Sequence, residues 1–480
     1  MKNYKWTKLI WFVILFGFSM QAQTKKWTLE DCVIYAIENN ISIKNTALDG
    51  EIADIEKKGA IGNFLPSVNA SGSHSWNIGL NQNITTGLLE NQTIQFTSAR
   101  LQVGVDLYNG LQNQNRFRRA NLSKLATQYQ LTKMQEDISL NVANAFLQIL
   151  FNKENLKVQK ERLDNDVKQM ERSEQLLEAG IIPRVDLLDM KATVASDQQL
   201  VIAAENNLLI SRLSLAQLLQ LDDFVTFDIV DDEYEAPNNE MLLKTPVAIY
   251  EKAKETRVEL KIARANLDIA EKDLTISKGA FQPTLSGFYS FDTRAASSPR
   301  IIGFQVDPVN PTSPIGVVEG TDQVVVQPNF QRLTGGPLAV FDQFDANRGQ
   351  GFGMQLTIPI LNGFAARTNV ERSKVAVERS KIAYNQEELN LQRNVYTAFT
   401  DTKGALNSYE AALITLEARE EAFSYAKERF DVGVMNAFDY NQSLTLFTNA
   451  QSEVLRTKYD YIFKTKILEF YFGIPIIQKP

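Results

Sequence analysis

Residues 178–189 read EAGIIPRVDLLD, and residues 431–442 read DVGVMNAFDYNQ. Gly180 corresponds to Gly433 at an offset of 253 residues (433 minus 180), and an aspartate follows each glycine by six positions. A glycine suits the left-handed residue that ends a helix, and an acid suits the first turn of the next helix. Each stretch therefore predicts a tight turn inside a helical hairpin.

Other landmarks indicate that most of the chain is duplicated. Gly110 corresponds to Gly363 at the same offset of 253 residues, whereas Phe64 corresponds to Phe281 at an offset of 217 (281 minus 64). The register therefore changes once, by 36 residues (253 minus 217), which indicates a single insertion between two strands of the second copy. The two copies cover 64–221 and 281–474.

The segments that flank the turns are predicted to be very long helices. Residues 111–178 contain neither proline nor glycine, and apolar residues recur at helical spacing. At 1.5 Å per residue such a helix measures about 100 Å, which exceeds a compact domain. We expect two hairpins, over 109–221 and 362–474, that project from the rest of the chain.

The second hairpin carries a seven-residue apolar repeat, which is typical of a helix that winds around a neighbour. Small alanines one heptad apart form a second line, where another helix could approach closely. An ordinary two-stranded coiled coil is the alternative. The seam consists of Val395, Phe399, Thr402, Leu406, Tyr409, Leu413, Leu416, Glu420 and Phe423, and the second line consists of Ala398, Ala405 and Ala412.

Four segments alternate apolar and polar residues with a period of two, which predicts strand pairs within 64–108 and 281–361. Each strand has roughly the ten residues that a tilted strand needs to cross a bilayer. Trp76, Tyr289 and Phe352 lie near strand ends, where an interfacial aromatic girdle is expected. A soluble, half-buried sheet is the alternative.

Four strands cannot close a barrel, and an open sheet edge in lipid leaves backbone groups unpaired. Three chains would supply twelve strands, which lies within the range of outer-membrane barrels. The predicted fold class is therefore a mixed α and β membrane protein with a trimeric, twelve-stranded β-barrel and an internal duplication.

The insertion of the second copy lies at about 294–350 and holds six of the fourteen prolines, which predicts a loop. Long loops of such barrels face the outside of the cell. A disordered flap without a specific role is the alternative.

The two ends and the linking segments complete the organisation. Residues 1–22 have the lysines and the short apolar run of a secretory signal peptide. Its removal would change the formal charge from −7 to −10, because three lysines are lost, and a nucleic-acid partner is not expected. The remaining predicted segments are an N-terminal helix (23–63), an acidic equatorial linker (222–245), a further helix (246–280) and a C-terminal tail (475–480).

The residues that most enzymes and metal sites require are scarce. The chain has one histidine, His74, and one cysteine, Cys32, which we expect in a helix core. The glycines at 349, 351 and 353 lead into an alternating strand, so they do not form a nucleotide-binding loop. We predict no enzymatic activity, no metal site and no cofactor.

Four groups of residues together resemble the TolC-type outer-membrane efflux family. They are the opening helix from Trp27 to Ile41, the strand start at Phe64, Leu65 and Pro66, the strand end from Leu107 to Gly110, and the turn from Tyr425 to Asp439. The resemblance implies a homotrimeric duct in the bacterial outer membrane, continued by a long α-helical coiled-coil tunnel across the periplasm. It also implies a periplasmic adaptor protein and an inner-membrane efflux pump or ABC transporter as partners, in addition to outer-membrane lipid.

In that family, aspartates of the returning helices surround the periplasmic aperture. Asp439 matches the first of these positions, whereas Gln442 occupies the second. Asp186 and Asp189 of the first hairpin are the further candidates for the acidic ring, which would favour cations. Helix capping by Asp186 and Asp439 is a compatible alternative.

The resemblance also assigns roles to the turns themselves. Gly180, Pro183, Gly433 and Asn436 mark the tips that would dock onto the adaptor. The family's closing contacts use a tyrosine and an arginine near the second turn, where this chain has Phe430 and Met435.

The predicted function is therefore an outer-membrane exit duct of a tripartite efflux system or of a type I secretion system. The alternative is a non-conducting periplasmic coiled-coil protein, such as the adaptor itself. Adaptors usually carry one hairpin flanked by small β domains, whereas this chain has two hairpins that each follow strands of membrane length.

Overall fold

The computed structural model describes residues 26–82, 87–222, 224, 226–231, 234–237 and 239–476. The predicted signal peptide and residues 477–480 of the predicted tail lie outside the described residues. The chain divides into two compact units. Unit 1 comprises Met1–Asp54, Leu122–Ile269 and Glu378–Pro480, and unit 2 comprises Ile55–Asn121 and Ala270–Val377.

The duplication extends to every long helix. The first copy contains α1 (Leu29–Asn39), α2 (Ile41–Gly62), α3 (Gln112–Glu178) and α4 (Arg184–Leu219), and the second contains α5 (Pro246–Thr256), α6 (Val258–Gly279), α8 (Ala365–Asp431) and α9 (Ala437–Phe472). Counterparts have equal lengths of 11, 22, 67 and 36 residues. The repeat therefore begins at the helix caps Thr28 and Thr245, well before the strands.

The two shorter predicted helices, 23–63 and 246–280, are each broken once. The breaks fall at Asn40 and Arg257, which correspond at the offset of 217 residues (257 minus 40) and adopt extended backbone angles, with ψ of 129° and 130°. The Asn40 amide oxygen accepts a hydrogen bond from the Ser42 backbone at 2.9 Å, so Asn40 starts the second helix. Local capping overrides the helical periodicity at these points.

Four long strands form one antiparallel sheet in unit 2. They are β1 (Ser67–Gln82), β2 (Leu89–Asn109), β3 (Thr284–Ala296) and β8 (Gly349–Thr357), in the order β1-β2-β3-β8. The sheet therefore has β1 and β8 at its two edges. The fourth strand stops at Thr357, short of the predicted Ile360, since Pro359 has no N–H to donate to the sheet.

The insertion is not the structureless loop that its prolines predicted. It contains two antiparallel ribbons, in which β4 (Arg300–Val306) pairs with β7 (Phe330–Gly335) and β5 (Thr312–Val317) pairs with β6 (Val324–Pro328), followed by the short helix α7 (Val340–Ala346). Pro314 lies beside a register shift in β5, and Pro328 is the last residue of β6. Proline is tolerated at bulges and strand ends, so a high proline content does not exclude ribbons.

Two apolar clusters lie in the described part of unit 1. The first surrounds α1, the middle of α3 and the C-terminal end of α4, with Cys32, Phe146 and Leu215 fully buried. The second joins α5 to α8 and α9 through Ile249, Val395 and Leu468. Because α1 and α5 are counterparts, each copy buries its own short helix against its own hairpin.

The predicted seam of α8 is only partly buried in the single chain. The second line of alanines is buried together with Val395 and Thr402, whereas Leu413 and Glu420 of the predicted seam are exposed. Thr402 donates a hydrogen bond to the Lys464 carbonyl of α9 at 3.0 Å, which places this side of α8 against its own return helix. The alanines therefore serve contact within the hairpin.

Candidate functional site at the helix tips

The two hairpin turns have the same backbone construction. Gly180 and Gly433 are left-handed, with φ of 73° and 78°. In each turn the next amide reaches back five residues, from Ile181 to the Leu176 carbonyl and from Val434 to the Arg429 carbonyl, both at 2.9 Å. This pattern closes the C-terminal end of a helix, and glycine adopts its left-handed position without steric cost.

The helices that return from the turns are capped differently. Asn436 caps α9, since its amide oxygen accepts from the Asp439 backbone N–H at 2.8 Å while its Nδ2 donates to the Asp439 carboxylate at 3.0 Å. Pro183 occupies the equivalent cap of α4 and makes no side-chain hydrogen bond. Pro183 thus precedes the first helical turn.

The four aperture candidates lie in the first two turns of α4 and α9. Asp189, Asp439 and Gln442 are exposed, and Asp186 is half-buried. Among the described residues no hydrogen bond or ion pair joins the two acids of α4 to Asp439 or Gln442. Within one chain these side chains form two separate groups, and their shared role at an aperture stays a prediction.

Several large apolar side chains around the tips are exposed to solvent. Ile181 and Val185 lie at the first tip, and Val434 and Phe438 lie at the second; each has more than half of its surface exposed. Exposed apolar groups that cluster at one end of a chain mark an interaction surface. Sequence reasoning named the turn residues but missed these flanking residues.

The two hairpins are tied together close to the tips. Arg172 of α3 forms an ion pair with Asp431 at the end of α8, and its guanidinium lies 5.9 Å from the centre of the Phe430 ring. Phe430 in turn stacks on Tyr440 of α9, with ring centres 4.6 Å apart. No sequence pattern pointed to Arg172, because its partners lie about 260 residues away.

Farther from the tips, a charged cluster is buried between α3 and α4. Asp166 and Asp197 are both 1% exposed, and Arg162 Nη2 lies 2.8 Å from Asp197 Oδ1. Burial, followed by the hydrogen bond to Asp197, raises the pKa of Asp166 to about 8. Burial likewise raises the pKa of Tyr440 to about 12, and the charge of Asp166 contributes.

The sheet places the three girdle candidates in two rows. Tyr289 and Phe352 are direct cross-strand partners, and the same row continues through Val103 to Val68. Trp76 lies eight residues farther along β1, which corresponds to about 27 Å of strand. The separation is comparable to the roughly 25 Å apolar band of outer-membrane barrels.

Neither a metal site nor a spanning helix is found in the described residues. Across 26–82, 87–222 and the other described ranges, His, Cys, Asp and Glu side chains form no group of three or more that could bind a metal ion. No helix within the same residues combines the length and the apolarity needed to cross a bilayer.

The description "Outer membrane efflux protein" belongs to the family that matches residues 35–220 and 249–465, which cover both copies of the repeat. The chain belongs to this outer membrane efflux protein family. It is 22% identical over 344 residues to "Outer membrane protein TolC" of Vibrio cholerae, covering 70% of this chain and 67% of that protein.

Solved structures show the same fold as this efflux protein. The structure of CusC has a TM-score of 0.74 at 16% identity and covers 93% of this chain and 92% of its own. The structure of VceC from Vibrio cholerae has a TM-score of 0.73 at 13% identity, with coverage of 94% and 97%. The predicted mixed α and β fold of the chain is thereby confirmed, whereas the trimer and the closure of its barrel stay predictions.

These similarities establish the class of the protein. It is an outer-membrane efflux channel with its helical part in the periplasm, and it is not an enzyme. Family membership favours the channel over the periplasmic adaptor that long hairpins alone would allow.

Proposed function

We propose that three copies of the chain form the exit duct of a tripartite efflux system. The observation that carries this proposal is the four-stranded sheet with two free edges at β1 and β8. In a bilayer those edges need partners, because each unpaired backbone group in lipid costs several kcal/mol. Pairing of β8 with β1 of the next copy satisfies both edges and closes a barrel of twelve strands.

The exposed aromatic rows support insertion of this sheet in lipid. Phe352 is 85% exposed and Trp76 is 58% exposed in the single chain, and both lie on the face that carries the apolar parity. Trp76 at one level and the pair of Tyr289 and Phe352 at another act as two interfacial girdles. The opposite face, with Ser71, Ser73 and Ser98, lines the lumen.

The tips would bind the periplasmic adaptor of an inner-membrane efflux pump. Gly180, Pro183, Gly433 and Asn436 shape the tips, and the exposed apolar residues beside them supply the contact surface. Asp186, Asp189 and Asp439 then line the periplasmic aperture, where three copies of each carboxylate favour cations. Gln442 makes this ring less acidic in the second hairpin.

Purification and bilayer recording test the proposal. The protein extracted in detergent should be a trimer, and it should give a cation-preferring conductance in a planar bilayer. A monodisperse monomer that stays soluble without detergent would contradict the duct. Co-purification of a periplasmic adaptor by the wild type, and its loss after substitution of Phe438 by Asp, would test the docking role of the tips.

A further inference from the structure

Two buried acids of the first hairpin share a single arginine, Arg162. Asp166 on α3 and Asp197 on α4 are each 1% exposed. Arg162 lies 2.8 Å from Asp197 but 3.9 Å from Asp166, so it pairs mainly with Asp197. With both acids ionised, the cluster would hold one uncompensated negative charge in a water-excluded place.

A single proton removes that charge. No N–H group or hydroxyl of the described residues donates a hydrogen bond to the buried oxygens of Asp166, so the neighbouring Asp197 carboxyl is the hydrogen-bond partner within reach. A proton held between two adjacent carboxyls provides a hydrogen bond and leaves Arg162 with one matching negative charge. We propose that Asp166 and Asp197 share one proton at neutral pH, and that its release loosens the packing between the first hairpin and α9 near the tips.

The cluster lies where the two hairpins meet. Arg162 donates a hydrogen bond to Thr445 of α9 at 3.3 Å, and Tyr440 of α9 is close enough to feel the charge of Asp166. The other charged groups near Tyr440 are Arg172 of α3 and Asp431 of α8. Asp166 precedes the end of α3 by twelve residues, which is about 18 Å of helix. A negative charge on Asp166 therefore acts on the contact between the two hairpins, which the ion pair of Arg172 with Asp431 also joins.

The direction of the pH effect follows from proton linkage. Burial raises the pKa of Asp166 from an ordinary value of 3.8 to about 8, so the packed junction holds one proton more than a hydrated one between these pH values. Raising the pH across this window disfavours the packed junction, by up to about tenfold in its equilibrium constant per pH unit. Above it the effect levels off. The further link to opening of the duct rests on the proposed function.

Infrared spectroscopy tests the shared proton without any need for conduction. The wild type should show a protonated carboxyl band at pH 7 that disappears as the pH passes about 8. Asp166→Asn should remove the band, and Asp197→Asn should remove it too, because Asp166 then becomes the ionised partner of Arg162. Asp164→Asn is the matched control, since Asp164 pairs with Lys168 at the surface and leaves the cluster intact. Absence of the band in the wild type would overturn the proposal.

Thermal melting of the detergent-solubilised protein tests the loosening. The melting temperature of the wild type and of Asp164→Asn should fall between pH 5 and pH 8, whereas that of Asp166→Asn should stay nearly constant. An equal fall in all three proteins would overturn the link between the proton and the packing. If the infrared band instead depended on added sodium or calcium, a cation would occupy the cluster, and the shared proton would be overturned.

Bilayer recording adds the functional consequence. Conductance of the wild type should rise from pH 6 to pH 8 relative to Asp166→Asn, and parallel profiles of the two proteins would overturn the link to opening. A wild type that does not conduct at any pH would count against the duct, whereas the infrared and melting results would still decide the shared proton and its effect on packing.

Discussion

Arg172 Nη1 and Asp431 Oδ1 lie 2.6 Å apart, and the same guanidinium donates to the Asp431 carbonyl at 3.3 Å. The arginine belongs to the first hairpin and the aspartate ends the long helix of the second. The contact therefore joins the two hairpins directly beside the turns. It supplies a tie between hairpins in a chain that has Phe430 and Met435 where the family's closing contacts lie.

Substitution of Arg172 by Ala should open the periplasmic end. The variant should conduct several-fold better than the wild type in planar bilayers, since it loses the contacts of Arg172 with Asp431 and Phe430 that join the two hairpins. Both partners are about 40% exposed, so the loss of stability should stay below about 1 kcal/mol. Lys191→Ala is the control, because Lys191 pairs with Glu174 within the first hairpin at similar exposure. Equal conductance of both variants would exclude a gating role.

Charge and capping at the second tip should be separable. Asp439→Asn should weaken block of the conductance by divalent cations and lower the melting temperature only slightly. The main cap bond uses the backbone N–H of Asp439, and the substitution alters only the exposed bond from Asn436 Nδ2 to the carboxylate. Asn436→Ala should do the reverse, with a loss of about 1 kcal/mol of stability and intact block. If block persists in Asp439→Asn, the carboxylate only assists the cap.

Arg257→Ala should strongly destabilise unit 1. The Arg257 side chain is 4% exposed, contacts Glu136 at 2.7 Å and Glu259 at 3.1 Å, and lies 3.8 Å from the centre of the Phe470 ring. Removing one partner of a buried ion pair costs about 3–5 kcal/mol. Arg264→Ala, which breaks an exposed pair with Asp268, should cost far less.

The same Arg257 variant should show a distinctive pH dependence. Burial raises the pKa of Glu136, and Arg257 opposes that rise. Without the arginine the pKa should rise further, so the folded variant binds a proton that the unfolded chain has released, and its stability falls as the pH increases. Chemical denaturation at pH 5 and pH 8 should therefore show a smaller defect at pH 5. A defect that does not change with pH would mean that lost packing, not the carboxylate, dominates.

Two equivalent glycines should differ in tolerance. Gly110 and Gly363 are both left-handed, with φ of 55° and 60°. A Cβ at Gly110 would lie 2.3 Å from the Gly279 carbonyl oxygen, whereas a Cβ at Gly363 would meet nothing within 4 Å. Gly363→Ala should cost about 1 kcal/mol of backbone strain, and Gly110→Ala considerably more. Comparable yields and melting temperatures of the two variants would contradict this difference.

Tryptophan fluorescence should locate the sheet in lipid. Brominated lipids should quench emission from Trp76 but not from Trp27, whose ring packs against Tyr35 with centres 5.1 Å apart in unit 1. Trp76→Phe should therefore abolish quenching, and Trp27→Phe should leave it intact. Quenching that survives in Trp76→Phe would place the sheet outside the bilayer.

Much of the architecture could be predicted because it depends on local patterns. The absence of proline and glycine identified the long helix that the structure has at Gln112–Glu178, and the glycines Gly180 and Gly433 identified both turns. Strand alternation identified which residues share one face of the sheet, since the side-chain period of a strand is fixed by its pleat. The equal offsets between the copies required no knowledge of contacts.

Other features depended on which segments become neighbours in space. The ribbons of the insertion form through pairing between strands, which composition does not reveal, so the proline content wrongly predicted a loop. The breaks at Asn40 and Arg257 are stabilised by the ends of α4 and α9, far away in sequence. The alanine line of α8 proved to face its own return helix, because heptad spacing defines a stripe but not its partner.

The sequence by itself determined the kinds, lengths and duplication of the elements, since backbone propensity and side-chain period act within a few residues. Only the tertiary structure decided the electrostatics. Asp166 has the appearance of a solvated residue in a charged helix, yet the packing of α3 and α4 buries it beside Asp197. Its proton affinity is set by desolvation and by a charge on another helix, and neither can be read from the residues next to it in the chain.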